Sequence, residues 1–253
     1  MSSLQPAEAD QGVLESTAFV KLLRSSRKVR QGRLNNIFRH DEPSGFQTWV
    51  GGPRLAVRPG SLTLLRVLAH DAPVPARVMA HEPSEPPSAA WLFTIVELGE
   101  EHGGGPLMVE VPHTRAAASV PLPVEVSLAL GGPLVEPARW YDDPDHFDRE
   151  NGPDQPWPGG TPADDASGGP ARAAQSLIDL RLMVGERGAL VSGIVEHTER
   201  VTSLLGGELT TITMRTAFDM PLVVWCAATD DPPPPGAVFD GTVALSGSSP
   251  QLV

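Results

Sequence analysis

Between residues 11 and 31, apolar side chains recur at three- and four-residue spacing. Leu14, Ala18 and Leu22 fall on one line, with Phe19 and Leu23 on the next, and this predicts a helix. Lys21, Arg24 and Lys28 share another face by the same spacing, so the predicted helix is amphipathic and basic. Gly32 is expected to end it, and Leu34, Ile37 and Phe38 to add one further turn before the break at Pro43-Ser44-Gly45. Beyond that break the pattern changes to short apolar runs cut by turns. Strands are predicted at Phe46 to Val50, Arg54 to Arg58, Ser61 to Ala69, Val74 to Ala80, Ala90 to Leu98, Leu107 to Val111 and Leu122 to Leu130. Pro73, Pro75, Pro112, Pro121 and Pro123 lie at or near their ends, where a missing amide donor does least harm.

Five further strands are predicted at Leu177 to Val184, Leu190 to His197, Glu208 to Thr216, Leu222 to Thr229 and Val238 to Leu245. Gly185-Glu186-Arg187-Gly188, Gly206-Gly207, Asp219-Met220-Pro221 and the run from Pro232 to Gly236 separate them. Within Glu208 to Thr216, Thr211, Thr213 and Arg215 alternate with Ile212 and Met214, giving one wet and one dry face. Five short strands with a Gly inside one (Gly193) and a last strand ending in Ser246-Gly247 suggest a small barrel, because closure removes exposed sheet edges. The unit resembles an OB-like barrel over about 70 residues, without the helix that usually separates the third and fourth strands. As a likeness of shape, it brings no functional residue with it.

The fold class expected is therefore mainly β: two small barrel- or sandwich-like units, the C-terminal one OB-like and five-stranded, preceded by one amphipathic helix. Composition agrees. Of 253 residues, 25 are Gly and 27 Pro, about twice the usual share, which argues against long helices and helical repeats. Residues 141 to 175 hold six Pro, five Gly and eight acids, with only Tyr141, Phe147 and Trp157 as large apolar side chains. So little apolar surface does not offset the entropy of ordering, and a linker or long surface loop is expected there. The predicted organisation is a basic arm over 1–40, a β unit over 41–140, the acidic connector over 141–175 and a β-barrel unit over 176–253.

Net charge is −12, but unevenly spread. Residues 21 to 40 carry seven bases and no acid, whereas residues 41 to 253 carry 28 acids against 12 bases. A general nucleic-acid binder, which gains its affinity by neutralising phosphates, is disfavoured. No apolar run reaches the roughly 20 residues of a membrane span, no basic-then-apolar leader opens the chain, and a single cysteine requires no oxidising compartment. A cytoplasmic protein is expected.

Candidate chemistry is sparse. Cys226 sits among Val223, Val224, Trp225, Ala227 and Ala228 and reads as a small buried hydrophobe in a central strand. The acidic run from Asp142 to Asp154 offers oxygen ligands without the spacing of a calcium loop. Seven histidines never pair at zinc-site spacing; His102 and His113, flanking three glycines, form the least bland combination because a hairpin would draw them together. No Gly-x-Ser-x-Gly, Walker or Gly-x-Gly-x-x-Gly pattern is present, and the paired glycines, including Gly131-Gly132, read as turns. No metal or cofactor is called for.

The one feature with a direction is the basic arm: Lys21, Arg24, Arg27, Lys28, Arg30, Arg33 and Arg39 make a local positive field suited to an anionic partner. Three functions are ranked on this basis. A non-enzymatic interaction or assembly module, docking a protein partner or another copy through the arm, comes first. An enzyme or small-ligand protein comes second, with a pocket between the β units drawn from Glu97, His102, His113 and His197. An OB-like nucleic-acid binder comes third, since residues 176 to 253 hold nine acids against four bases.

Overall fold

The computed structural model describes residues 2–7, 26–31, 35–42, 45–53, 63–68, 73–82, 91–99, 102, 106–151, 180–183, 186–202, 207–216 and 219–252. It is mainly β. In chain order the strands are β1 Ser2–Leu4, β2 Arg27–Gln31, β3 Asn35–Asp41, β4 Phe46–Pro53, β5 Thr63–Leu68, β6 Val74–Glu82, β7 Trp91–Leu98, β8 Pro106–Pro112, β9 Val124–Pro133, β10 Ala138–Tyr141, β11 Leu180–Met183, β12 Glu186–Thr202, β13 Glu208–Arg215, β14 Pro221–Ala227, β15 Val238–Val243 and β16 Ser246–Ser248. Two short helices are described, α1 Arg115–Ser119 and α2 Pro144–Glu150.

A closed five-stranded barrel runs β6-β7-β8-β16-β9 and back to β6. Its contacts are antiparallel except that β16 lies parallel to β8. Numbered along the chain, its strands stand in the order 1-2-3-5-4, and α1 separates the third from the fourth. The OB-like arrangement is therefore found in the N-terminal half, with the helix present. The strand that closes it, β16, comes from the far end of the chain.

The C-terminal strands close in the complementary way. β12, β13 and β14 form an antiparallel meander, while β15 returns to pair with β12. The gap between β14 and β15 is filled by the end of β9: Val223, Val224 and Trp225 pair in parallel with Gly131, Gly132 and Pro133, and Leu134 bridges Val243. The five-stranded barrel expected wholly within 176–253 thus takes its fifth strand from residues 131–134, and the predicted first strand, β11, hangs on β12 outside the ring.

Each half of the chain supplies four strands to its own ring and the fifth to the other. The two donated segments run past each other in one antiparallel register: Ala129, Leu130 and Gly131 face Ser248, Gly247 and Ser246, the Ala244 amide donates to the Pro133 carbonyl, and the Val135 amide donates to that of Thr242, both at 3.0 Å. Gly131 and Gly132 are interior to this strand and make no turn, because two ladders converge on it. A Cβ on Gly131 would stand 2.6 Å from the Val223 carbonyl oxygen, and one on Gly132 would meet that of Ala244 still closer. The core is correspondingly undivided: Val96, Val109 and Leu128 of the first ring and Ile212, Val224 and Phe239 of the second belong to one buried cluster.

A separate antiparallel sheet, β2-β3-β4-β5, lies against both rings. Phe46 of β4 meets Trp225 of β14 edge to face at 5.3 Å, beside Ala7, Val201 and Leu209. Trp49, Leu65 and Val67 pack with Trp91 of β7. Residues 27–31 and 35–41, expected as the end of a helix and one further turn, are a hairpin of this sheet; residues 11–25 of the predicted helix lie outside those described. Likewise, the expected connector begins with ordered structure. Asp143 caps α2 by accepting from the His146 amide at 2.6 Å, Pro144 takes the first helical position where its missing amide costs nothing, and Phe147 is buried against Tyr141 and Val238. Residues 152–175 lie outside the described part. The predicted turn Gly185 to Gly188 is shorter than expected, since Glu186, Arg187 and Gly188 already pair within the β11–β12 hairpin.

Candidate functional site

Of the seven bases singled out, Lys21, Arg24 and Arg33 lie outside the described residues. The other four come together on the β2–β3 hairpin. β2 is the edge of the four-stranded sheet, and among the described residues it pairs only with β3. Arg27, Lys28 and Arg30 occupy three of its five positions, and Lys28 is exposed. A bulge between Lys28 and Arg30 interrupts the ladder.

Arg27 stands directly opposite Arg39 of β3 in the register. The Arg39 guanidinium lies 5.5 Å from the centre of the Trp49 ring, and both Nε and Nη2 reach Asp41 Oδ1 at 2.7 Å. The next strand makes this possible, because Trp49 is the cross-strand partner of Arg39 in β4. Arg39 is thus a structural contact of the sheet as well as a charge on its surface. The sequence concealed the pairing, since Leu34, Ile37 and Phe38 fit a helical spacing.

The residues named for an enzymatic pocket are not brought together. A hairpin does join β7 to β8 across 99–105, but Glu97 pairs with Pro106 near its tip and Trp91 with Pro112 at its base. His102 therefore belongs to the tip and His113 to the base, about 20 Å apart at strand rise. His197 is exposed on β12 of the second ring, facing Thr213 at a bulge. Cys226 is fully buried, burial pushes its thiol up to about 12, and its Sγ lies 3.7 Å from the Thr210 carbonyl. Such a thiol is a core side chain, not a nucleophile. Among the described residues no group of three His, Cys, Asp or Glu side chains is placed to hold a metal ion, and no helix is long and apolar enough to cross a membrane.

One cleft, of about 230 Å³, opens on the second ring between Thr198, Arg200, Thr210, Thr229, Asp230 and Pro232. Its cation is already engaged: Arg200 reaches Asp230 at 2.8 Å and Glu208 at 3.6 Å, and donates to the Thr229 carbonyl at 2.8 Å. Two polar groupings had no signal in the sequence, because each is assembled across strands. His81 Nδ1 and Thr94 Oγ1 lie 2.9 Å apart between β6 and β7. Ser192 donates to Asp240 at 2.7 Å, with Arg139 aligned on the other side of Asp240. Burial raises the Asp240 carboxyl, and the Ser192 hydroxyl and Arg139 oppose that shift. No protein-family model, curated protein or solved structure matches this chain.

Proposed function

We propose that the chain is a non-enzymatic interaction module of the cytoplasm that docks a protein partner through its basic N-terminal hairpin. The observation that carries this reading is the concentration of Arg27, Lys28 and Arg30 on one edge strand of a protein whose residues 41 to 253 carry 28 acids against 12 bases. A positive edge on a negative body orients an acidic partner during approach and selects against other surfaces. The single cysteine, buried and free, requires no oxidising compartment.

Two features weigh against the competing readings. The dispersal of Glu97, His102, His113 and His197 leaves the enzymatic reading without an assembled set of groups. OB-like barrels bind nucleic acid on the face of their second and third strands, and here Phe46 covers Trp225 on that face of the second ring while Trp49, Leu65 and Val67 pack on Trp91 of the first.

The test is affinity capture from the native cytoplasm by wild type and by a variant with Arg27, Lys28 and Arg30 changed to Gln, followed by titration with the protein so identified. The expected result is saturable binding that weakens about tenfold in the variant and on raising salt. A purified partner that binds both forms equally would remove the basic hairpin from the interface.

A further inference from the structure

We propose that the run from Pro232 to Pro235 is a preformed polyproline-II ligand, which docks a partner domain through a groove lined with aromatic side chains and rimmed with bases. This goes beyond the module reading, since it assigns a second surface and uses no residue of the basic hairpin. The run lies in the connection that carries the chain from β14 past β13 and β12 to β15. Sterics set its shape. Proline holds φ at about −65°, and a residue that precedes proline is held to an extended ψ; Pro232, Pro233 and Pro234 meet both conditions. Pro235 follows in a turn closed by the Ala237 amide on the Pro234 carbonyl at 3.1 Å, with Gly236 at a φ of 89°. That is a type II turn, whose second residue is extended as well.

All four prolines therefore follow the left-handed helix of about three residues per turn, which puts Pro232 and Pro235 on one face. Pro233 is buried against the protein, whereas Pro232, Pro234 and Pro235 are exposed. Two of the three faces thus look outward. The Gly236 amide donates to the Val195 carbonyl at 2.8 Å and fixes the end of the run on β12. A ridge whose shape is set before binding loses little chain entropy when a groove closes on it. Ile194, the one large hydrophobic side chain exposed among the described residues, precedes Val195 on β12. Charge selects the rim: Glu199, Glu208, Asp230 and Asp231 are exposed around the head of the run, with Arg200 the base between them. That surplus of acid favours a groove flanked by Lys or Arg.

The experiment titrates the full chain against a panel of purified SH3, WW and EVH1 domains, which read polyproline helices through aromatic grooves. At least one domain with a basic rim should bind, should be displaced by a free decaproline peptide, and should shift the amide resonances of Gly236 and Ala237. The Pro232→Ala, Pro235→Ala variant should bind at least about tenfold more weakly while its melting temperature stays close to that of the wild type, because both rings are exposed. Glu199→Gln, which leaves every proline in place, should weaken binding and reduce its dependence on salt. Failure of every domain to bind overturns the proposal, as does equal binding of the wild type and the double proline variant, or binding that decaproline does not displace. Self-association of the chain that is lost in the double variant also overturns it, since the ridge would then serve a second copy. The basic hairpin is unaltered in all these proteins, so each outcome leaves the module reading to its own test.

Discussion

The Ser246 hydroxyl donates to the Gly131 carbonyl at 3.1 Å across 115 residues of chain. That bond lies where the two halves exchange strands: Ser246 closes the first ring while Gly131 opens toward the second. Neither half contains a complete barrel, and both bury side chains in one core. The chain is therefore expected to fold as one cooperative unit.

Cutting the chain within 152–179 tests that expectation. Fragments 1–151 and 180–253 should each be unfolded alone, because each lacks its fifth strand, and should recover native β structure as a one-to-one complex when mixed. Circular dichroism and native mass spectrometry follow the recovery. A sharp, cooperative melt from either fragment alone would show that its ring is complete without the exchange.

The crossing point itself is tight. Gly132→Ala places a methyl group into the Ala244 carbonyl, and since the obstacle is backbone in a doubly paired strand, relief requires the two segments to separate. A loss of about 3 kcal/mol is expected, at the upper end of the usual cost of overpacking. An unchanged denaturation midpoint would mean that the strands do not cross as described.

Local pattern revealed much of the strand content but not this exchange. Ile212 and Met214 alternate with polar neighbours, and both are buried as that alternation implies. Ile194, apolar and inside the predicted strand Leu190 to His197, is 39% exposed. Trp225 faces Phe46 while Cys226, the next residue, faces the ring interior; adjacent residues of a strand point to opposite sides, so a run apolar on both faces cannot say which partner each finds. Gly131-Gly132 read as a turn because nothing nearby in sequence shows that Val223 and Ala244 approach from two directions. Of the candidate surface, the charge cluster was legible in the sequence. Its placement on an edge strand was not, because the spacing of Leu34, Ile37 and Phe38 fits a helix equally well.

The Phe46–Trp225 contact fastens the N-terminal sheet to the second ring. Trp225→Ala should cost about 3 to 5 kcal/mol. A double-mutant cycle with Phe46→Ala should show a coupling of about 0.5 to 1.5 kcal/mol, the range for aromatic pairs in contact. Additive losses would mean that the sheet is held elsewhere, chiefly by Trp49 on Trp91.

Cys226 sets the behaviour at high pH. Its thiol ionises near 9 when unfolded and is pushed to about 12 by burial in the fold, so between these values the unfolded chain holds fewer protons than the native one. Stability should therefore fall as pH rises from about 9 toward 12. The fall should be shallower in Cys226→Ala. Alkylation of native Cys226 should be slow and should become fast in denaturant; rapid modification of the native protein would place the thiol at the surface.

His81 works in the opposite direction. Burial lowers its pKa, partly offset by a backbone hydrogen bond with Ala117, and Nδ1 is taken up with Thr94 Oγ1 at 2.9 Å. The unfolded chain protonates this side chain near 6.5, and the folded chain does so only at lower pH. In that window the unfolded state holds more protons, so the stabilisation present above about 6.5 declines as pH falls toward the folded pKa. Denaturation midpoints of wild type and His81→Gln, measured from about pH 8 to pH 5, isolate this contribution: the glutamine can keep a hydrogen bond to Thr94 but cannot take up a proton. The wild type should lose stability relative to the variant on acidification, and parallel curves would show that protonated His81 is accommodated at no cost.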